Sequence, residues 1–189
     1  MYAGDRLMKV HERLGSWVAA LPYGLIAAGA ALRIAPHPAN FAPIGAMALF
    51  GGATLSGAWA FAVPIAALLF SDAILGFYPG WIWVYGSFVL IVLIGRALRE
   101  RRTAVRIAVA ALGSSVLFFI VTNFGEWLGP LYPHTVTGLR ASFIAAIPFF
   151  RNTALSDLVY SLAFFGLYES VTRIARLRST PSTSLHRTT

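Results

Sequence analysis

The sequence predicts an all-α membrane protein with about six transmembrane helices. Of its 189 residues, 58% are hydrophobic and only 12% are charged. A soluble domain of this size carries roughly 25% charged residues. The mean hydropathy of +0.71 points the same way. We therefore expect a multi-pass membrane protein that is surrounded by the lipid bilayer.

The distribution of positive charge predicts the orientation. Twelve of the 15 lysines and arginines lie in the N-terminal segment, the loop between helices 4 and 5, and the C-terminal tail. The remaining three, on the opposite side, are Arg33, Arg140 and Arg151. Cytoplasmic loops of membrane proteins are enriched in lysine and arginine, so both termini are predicted to be cytoplasmic. The net charge of +8 then reflects topology and does not indicate nucleic-acid binding.

Helix 1 is expected at about residues 17–35, after a cytoplasmic segment at residues 1–16. Ala20, Gly24 and Ala28 recur one helical turn apart, and small residues at this spacing let another helix approach closely. Two interpretations remain open. The stripe packs within this protein, or it docks a partner subunit.

A sharp bend follows helix 1, because Pro36 and Pro38 cannot continue a regular helix. Asn40 is a good residue to begin the next helix, and Pro43 is tolerated in its first turn. We expect helix 2 at about residues 41–55. The bend is predicted to form one wall of a ligand site on the outer face.

The remaining helices follow from apolar runs. Helices 3, 4 and 5 are expected at about residues 58–77, 81–98 and 103–124. Residues 125–151 are predicted to be a long connection, with a re-entrant or interfacial segment before the last helix, because its apolar part spans only about nine residues. Helix 6 is expected at about 152–173, which gives a six-helix domain at 17–175. A disordered cytoplasmic tail is predicted at 176–189.

Outside the basic loops, nearly all polar and ionisable residues fall at the outer helix ends. Charged groups at membrane depth are costly unless they are paired or face a polar cavity. Aromatic residues with a few placed charges are typical of small-molecule pockets. The candidate substrate-binding residues are Arg33, His37, Asn40, Phe41, Asp72, Tyr78, Trp81, Tyr85, Asn123, Trp127, Tyr132, Arg151 and Asp157.

An alternative interpretation is that the three outer arginines form structural ion pairs with the three outer acids, Asp72, Glu126 and Asp157. The inner halves of the helices are almost purely apolar. A channel or alternating-access carrier normally has polar residues there as well, so the pattern favours capture from the outside.

Enzymatic chemistry has little support in the sequence. There are no cysteines, and no HExxH, G-x-S-x-G or phosphate-loop motif occurs. We expect no catalytic activity, no cofactor and no nucleic-acid partner. A remote alternative is an intramembrane metalloenzyme built on His37, His134 and the outer acids.

Several short motifs occur in a distinctive order. RxxPHPxNFxPIGAMALFGGA begins at Arg33, SDxxLGF at Ser71, TNFxxW at Thr122 and AIPFFRNTxLSD at Ala146. Together they resemble a family of small bacterial membrane proteins of unknown function that are labelled as transport proteins. That family is similar to the S-components of energy-coupling-factor vitamin transporters, and the sequence looks most like the solitary cobalamin-type S-components.

The resemblance implies capture of a vitamin or a related small molecule, such as a corrinoid, on the extracytoplasmic face of the bacterial inner (cytoplasmic) membrane. It also implies docking to a transmembrane coupling subunit with ATPases through Ala20, Gly24 and Ala28. Cobalamin-type S-components use a cysteine as a cobalt ligand, and this chain has none. Such ligation would require His37 or His134 instead. The competing hypothesis is a non-catalytic accessory or assembly subunit of a larger membrane complex.

Overall fold

The computed structural model describes the backbone of residues 3–179 and the side chains of residues 17–178. This part of the chain is entirely α-helical apart from its connections. Its six helices are α1 (Ala3–Ile34), α2 (Ile44–Thr54), α3 (Trp59–Leu75), α4 (Trp81–Ala97), α5 (Ala104–Leu128) and α6 (Val136–Ser179).

The short helix α2 forms the centre of the molecule. It contacts every other helix, and its residues from Gly45 to Ala53 are all buried. At 11 residues it is about 16 Å long, roughly half the thickness of a hydrocarbon core. Helix 2 was expected to be one of about six transmembrane helices, but α2 is a short helix enclosed by the rest of the protein.

Glycines allow the neighbouring helices to approach α2 closely. A Cβ on Gly52 would collide with the backbone carbonyl of Val92 on α4, and one on Gly95 would collide with the carbonyl of Leu49 on α2. A Cβ on Gly51 would collide with the Pro64 ring on α3. The glycines of α2 and α4 therefore allow close packing of these helices.

The basic α4–α5 loop holds the C-terminal end of α2. Arg102 donates to the carbonyl oxygen of Ala53 at 2.9 Å, and Arg99 donates to that of Leu55. These carbonyls have no partner within α2, and cations at a helix C-terminus also complement the helix dipole. Arg102 bridges further to Glu169 on α6 at 3.1 Å. The loop was interpreted as a topology determinant, and it is also a packing element.

The prediction of a long connection at residues 125–151 with a re-entrant or interfacial segment was wrong, because most of these residues are helical. The apolar residues 142–150 belong to α6, which runs for 44 residues with Pro148 inside it. Packing against α5 explains why this stretch is helical. Phe119 contacts Phe143 at a ring-centroid distance of 5.4 Å, and Ser142 donates to the carbonyl of Asn123 at 2.8 Å. The true connection between α5 and α6 is only residues 129–135.

The helices extend beyond both predicted boundaries of the six-helix domain. The helix α1 begins at Ala3, so most of the expected N-terminal segment is helical. The helix α6 continues to Ser179, so the first four residues of the predicted tail are helical as well. The side chains of residues 1–16 and the tail from residue 180 lie outside the described part.

Among the described residues, two helical stretches are long and apolar enough to cross a membrane, Trp17–Ile34 within α1 and the whole of α5. The helices α2, α3 and α4 are shorter apolar helices of 10–17 residues. Many large apolar side chains point away from the core, including Phe70 at 62% exposure and Val105 at 73%.

Candidate functional site

A groove between α5 and α6 runs from the α5–α6 connection down to Asp157, beside the start of α2. It consists of three cavities of about 60, 120 and 150 Å³ that share lining residues. The first two share Asn40, Phe118 and Thr153. The second and third share Asn123, among others. We refer to these three joined cavities as the α5–α6 groove.

The bend between α1 and α2 covers the side of the groove. Asn152 donates to the carbonyl of Ala39 at 2.8 Å, which ties the bend to α6. Asn40 has a φ of 58°, the only positive φ of a non-glycine residue in the described backbone. Asparagine is among the residues that adopt this left-handed conformation most readily, so Asn40 suits the sharp turn. The bend forms one side of the groove, and Asn40 is its groove-lining residue.

Asp157 closes the deep end of the groove and is only 2% exposed. Its carboxylate accepts a hydrogen bond from Ser115 at 2.7 Å and faces the backbone N–H groups of Gly45 and Ala46, which favour its negative charge. These N–H groups belong to the first turn of α2, where Pro43 supplies no side-chain cap. Asp157 therefore caps α2 from another helix, and its hydrogen-bonding capacity is largely used by the fold.

The mouth of the groove is formed by Glu126, Tyr132 and their neighbours in the third cavity. Glu126 is half-buried and lies beside Gly80, where a Cβ would meet its Oε1 at 2.8 Å. Trp127 does not line any of the three cavities. Its indole N–H donates to the carbonyls of Pro133 at 3.0 Å and Thr135 at 3.2 Å, which fixes the α5–α6 connection.

Several other predicted residues form a separate buried cluster between α1, α3 and α4. Arg33 pairs with Asp72 at 2.6 Å and donates to Ser71 at 2.5 Å. Tyr85 donates to the other carboxylate oxygen of Asp72 at 2.8 Å. Asp72 has no exposed surface and Arg33 is 8% exposed. For this acid, the structural ion pair is the interpretation that the geometry supports.

Tyr78 and Trp81 border that cluster. Burial, together with the negative charge of Asp72, raises the pKa of Tyr78 to about 12. Its hydroxyl therefore stays neutral and can donate a hydrogen bond. Trp81 is 48% exposed and packs edge-on against Tyr85 at 5.5 Å between ring centroids. Neither residue lines the α5–α6 groove.

Three predicted binding residues lie elsewhere on the surface. His37 and Arg151 are exposed and line none of the three cavities. Phe41 packs against Tyr160 on α6 at 5.9 Å between ring centroids. The predicted site residues that the α5–α6 groove brings together are thus Asn40, Asn123, Tyr132 and Asp157.

The small residues of α1 face outward. Ala20, Gly24 and Ala28 are exposed, and a Cβ added to Gly24 would meet nothing within 4 Å. Packing inside this chain, one of the two interpretations of the stripe, does not occur at these positions.

Sequence reasoning missed the aromatic and threonine lining of the groove. Phe118, Phe119 and Phe150 form its apolar wall, and Thr122 and Thr153 add hydroxyls. A signal for the threonines was present, because each stands next to an asparagine in the TNF and RNT motifs. The phenylalanines gave no such signal, since apolar residues on an apolar helix look alike in a sequence.

The histidines do not assemble a metal site in the described region. No group of three or more histidine, aspartate or glutamate side chains comes together among residues whose side chains are described. The ring of His134 instead lies within 3.3 Å of the carbonyl of Gly129 in the α5–α6 connection.

Comparison with protein families matches residues 15–180 to DUF6580, a family of unknown function. No curated protein and no solved structure matches the chain.

Proposed function

Since the chain belongs to DUF6580, a family of unknown function, we propose its role from its own residues: it captures a small molecule on the outer face of the bacterial inner membrane for import. The observation that carries this proposal is the α5–α6 groove, which ends on the fully enclosed helix α2. The protein would act like the S-component of an energy-coupling-factor transporter.

The exposed apolar surface supports a multi-pass membrane location. Side chains such as Phe70, Ile74 and Val109 are more than half exposed. Monomeric soluble proteins rarely expose large contiguous apolar patches. The ionisable residue of α3, Asp72, is turned inward to Arg33. Apolar side chains on the outside and a buried ionisable residue are the distribution expected for a protein surrounded by lipid.

The arrangement of charges supports an outward-facing groove. The arginines Arg99 and Arg102 lie at the C-terminal end of α2, and Asp157 lies at its N-terminal end. If the basic loop is cytoplasmic, as the positive-inside rule expects, the groove opens to the outside. The path inward is filled by α2, where Met47 and Phe50 have no exposed surface. Release would then require movement of the whole protein or a coupling subunit with ATPases.

The size of the groove favours a compact ligand. A vitamin-sized heterocycle matches cavities of about 60, 120 and 150 Å³ better than a corrinoid does, because a corrin ring with its side chains is several times larger. A corrinoid would have to sit above the groove and could not be enclosed by it. We therefore propose a vitamin or related small molecule of single-heterocycle size.

Mass spectrometry of small molecules released from the purified protein tests the capture function. We expect one compound in near-stoichiometric amount. Thr153→Phe should deplete it, because Thr153 lines two of the cavities. Leu155→Phe is the matched control, since Leu155 is on the same helix but 51% exposed. Absence of any compound above background, or equal amounts in both variants, would contradict the proposal.

A second candidate function is that of an accessory or assembly subunit. It is favoured by the exposed stripe of Ala20, Gly24 and Ala28 on α1. Small residues on a membrane helix allow close contact with a partner helix. Gly24→Leu would disrupt docking under both functions. Thr153→Phe distinguishes the two functions, because it should leave an assembly subunit fully active but disable a capture protein.

A further inference from the structure

Most of the hydrogen-bond donors on the hydroxyl and amide side chains of the α5–α6 groove already bond to backbone carbonyls of the protein. The hydroxyl of Thr122 donates to the carbonyl of Phe118 at 2.7 Å, and that of Thr153 donates to the carbonyl of Phe149 at 3.2 Å. The amide nitrogen of Asn123 donates to its own helix at 2.7 Å. A hydroxyl whose proton is engaged can only accept a further hydrogen bond. The hydroxyls of Thr122 and Thr153 therefore present only acceptors to an occupant, whereas Asn123 presents its amide oxygen and one remaining N–H.

Glu126 adds a charged acceptor at the mouth. Within the described residues its carboxylate has neither a hydrogen bond nor an ion pair, although it is half-buried. The outer acids otherwise have partners, Arg33 for Asp72 and Ser115 for Asp157. A partly desolvated carboxylate without a partner is unfavourable and is stabilised by a cation or by N–H donors.

Basic side chains do not line the three cavities. Arg33 is committed to Asp72 and Ser71. Arg140 and Arg151 are exposed and lie outside the lining. Asn40 and Tyr132 each keep a hydrogen-bond donor and an acceptor, so they can bond to either an acceptor or a donor of a ligand. An anionic ligand would find no cation here, and it would meet Glu126.

The apolar wall of the groove suits a flat ring. Phe119 packs on Phe150 at 4.9 Å between ring centroids, and Phe118 and Phe149 line the same cavity. Aromatic faces carry a negative potential and attract cations as well as other rings.

We propose that the α5–α6 groove selects a planar aromatic ligand that carries a positive charge or several N–H donors, and that Glu126 is the residue that distinguishes it from an anion. This inference rests on the proposed capture function and specifies its substrate class. The ligand ring would lie against the phenylalanines, and its N–H groups would face Glu126 and Asn123.

Three small probes of nearly identical shape test the inference. Benzamidine is a cation with a fork of N–H donors, benzamide is neutral and benzoate is an anion. Binding is measured by calorimetry on the full-length protein in detergent, dialysed free of bound ligand. We expect benzamidine to bind about tenfold more tightly than benzoate, with benzamide between them.

Glu126→Gln is the informative variant, because Glu126 has no protein partner to lose and the change preserves its shape. It should weaken benzamidine binding about fivefold and leave benzamide almost unchanged. Glu100→Gln, which removes an exposed charge from the basic loop, is the control and should leave all three probes unaffected.

Equal or tighter binding of benzoate, or benzamidine binding that survives Glu126→Gln, would overturn the assignment of ligand class. So would failure of all three probes to bind. None of these outcomes removes the capture function, which stands or falls with the compound released from the purified protein.

Discussion

Asp157 on α6 caps Gly45 at the start of α2, and the two residues are so close that a Cβ on Gly45 would collide with the carboxylate. A charged residue near the outer membrane boundary first suggests a ligand contact. Here the carboxylate belongs to the fold as much as to the groove that it closes.

The capping role predicts how substitutions of Asp157 behave. Asp157→Ala removes the acceptor for the first turn of α2 and should lower the free energy of unfolding by about 1–2 kcal/mol. Asp157→Asn keeps an acceptor in the same place and should cost much less, because asparagine caps helices about as well as aspartate. Unfolding of each variant in detergent measures the difference. If both variants were equally destabilised, the negative charge, and not the cap, would be what the fold requires.

The Arg33–Asp72 pair predicts a large effect on stability. Asp72→Ala leaves the Arg33 guanidinium buried without its counter-charge, which should cost about 3–5 kcal/mol. Replacing both residues by apolar ones should cost far less than the sum of the single changes. A double-mutant cycle on the free energy of unfolding measures the coupling. Additive single effects would show that the pair does not act as a unit.

Alanine substitutions at two glycines should change the stability of the protein in opposite directions, because only one of the glycines lies in the contact between α2 and α4. Gly52→Ala forces a Cβ against the backbone carbonyl of Val92 and should cost about 1–3 kcal/mol. Gly113→Ala on α5 meets nothing within 4 Å and should stabilise its helix by about 0.5–1 kcal/mol. Midpoints of thermal unfolding report both changes. A neutral Gly52→Ala would mean that α2 and α4 can separate without cost.

Arg102 separates the topological role of the basic loop from its packing role. Arg102→Lys keeps the charge but cannot hold Ala53 and Glu169 together with the forked geometry of a guanidinium. We expect lower thermal stability without a change in the side of the membrane on which the loop lies, which cysteine accessibility at an introduced site would report. Inversion of the loop in this variant would contradict the prediction.

The sequence alone predicted the helices whose ends carry local signals. Pro36 ends α1 near the expected position, and Thr103 accepts a hydrogen bond from the Arg106 backbone at the start of α5. The start of α6 was missed because its first turns are stabilised by contacts with α5. Such contacts, like that of Phe119 with Phe143, leave no pattern in the local sequence.

The candidate site was predicted only in part for a similar reason. Asn40, Asn123 and Asp157 were expected to belong to one ligand site, and the three residues line the same groove. Whether Asp72 faces a ligand or an arginine depends on how its helix is rotated. The sequence does not reveal that rotation, because the residues that meet in this cluster are distant along the chain, such as Arg33 and Ser71 at 38 positions apart. Charge and hydropathy give the depth of a residue, but packing decides which way it points.

The enclosure of α2 also has a consequence for the biogenesis of the protein. The helix leaves the ribosome early, but the residues that complete its N-terminal end come late, as the contact of Ala42 with Ser156 across 114 positions shows. We expect α2 to remain incompletely packed in the nascent chain until α6 has been synthesised. A chain truncated after Leu128 should therefore insert but remain sensitive to proteolysis near α2, in contrast to the full-length protein.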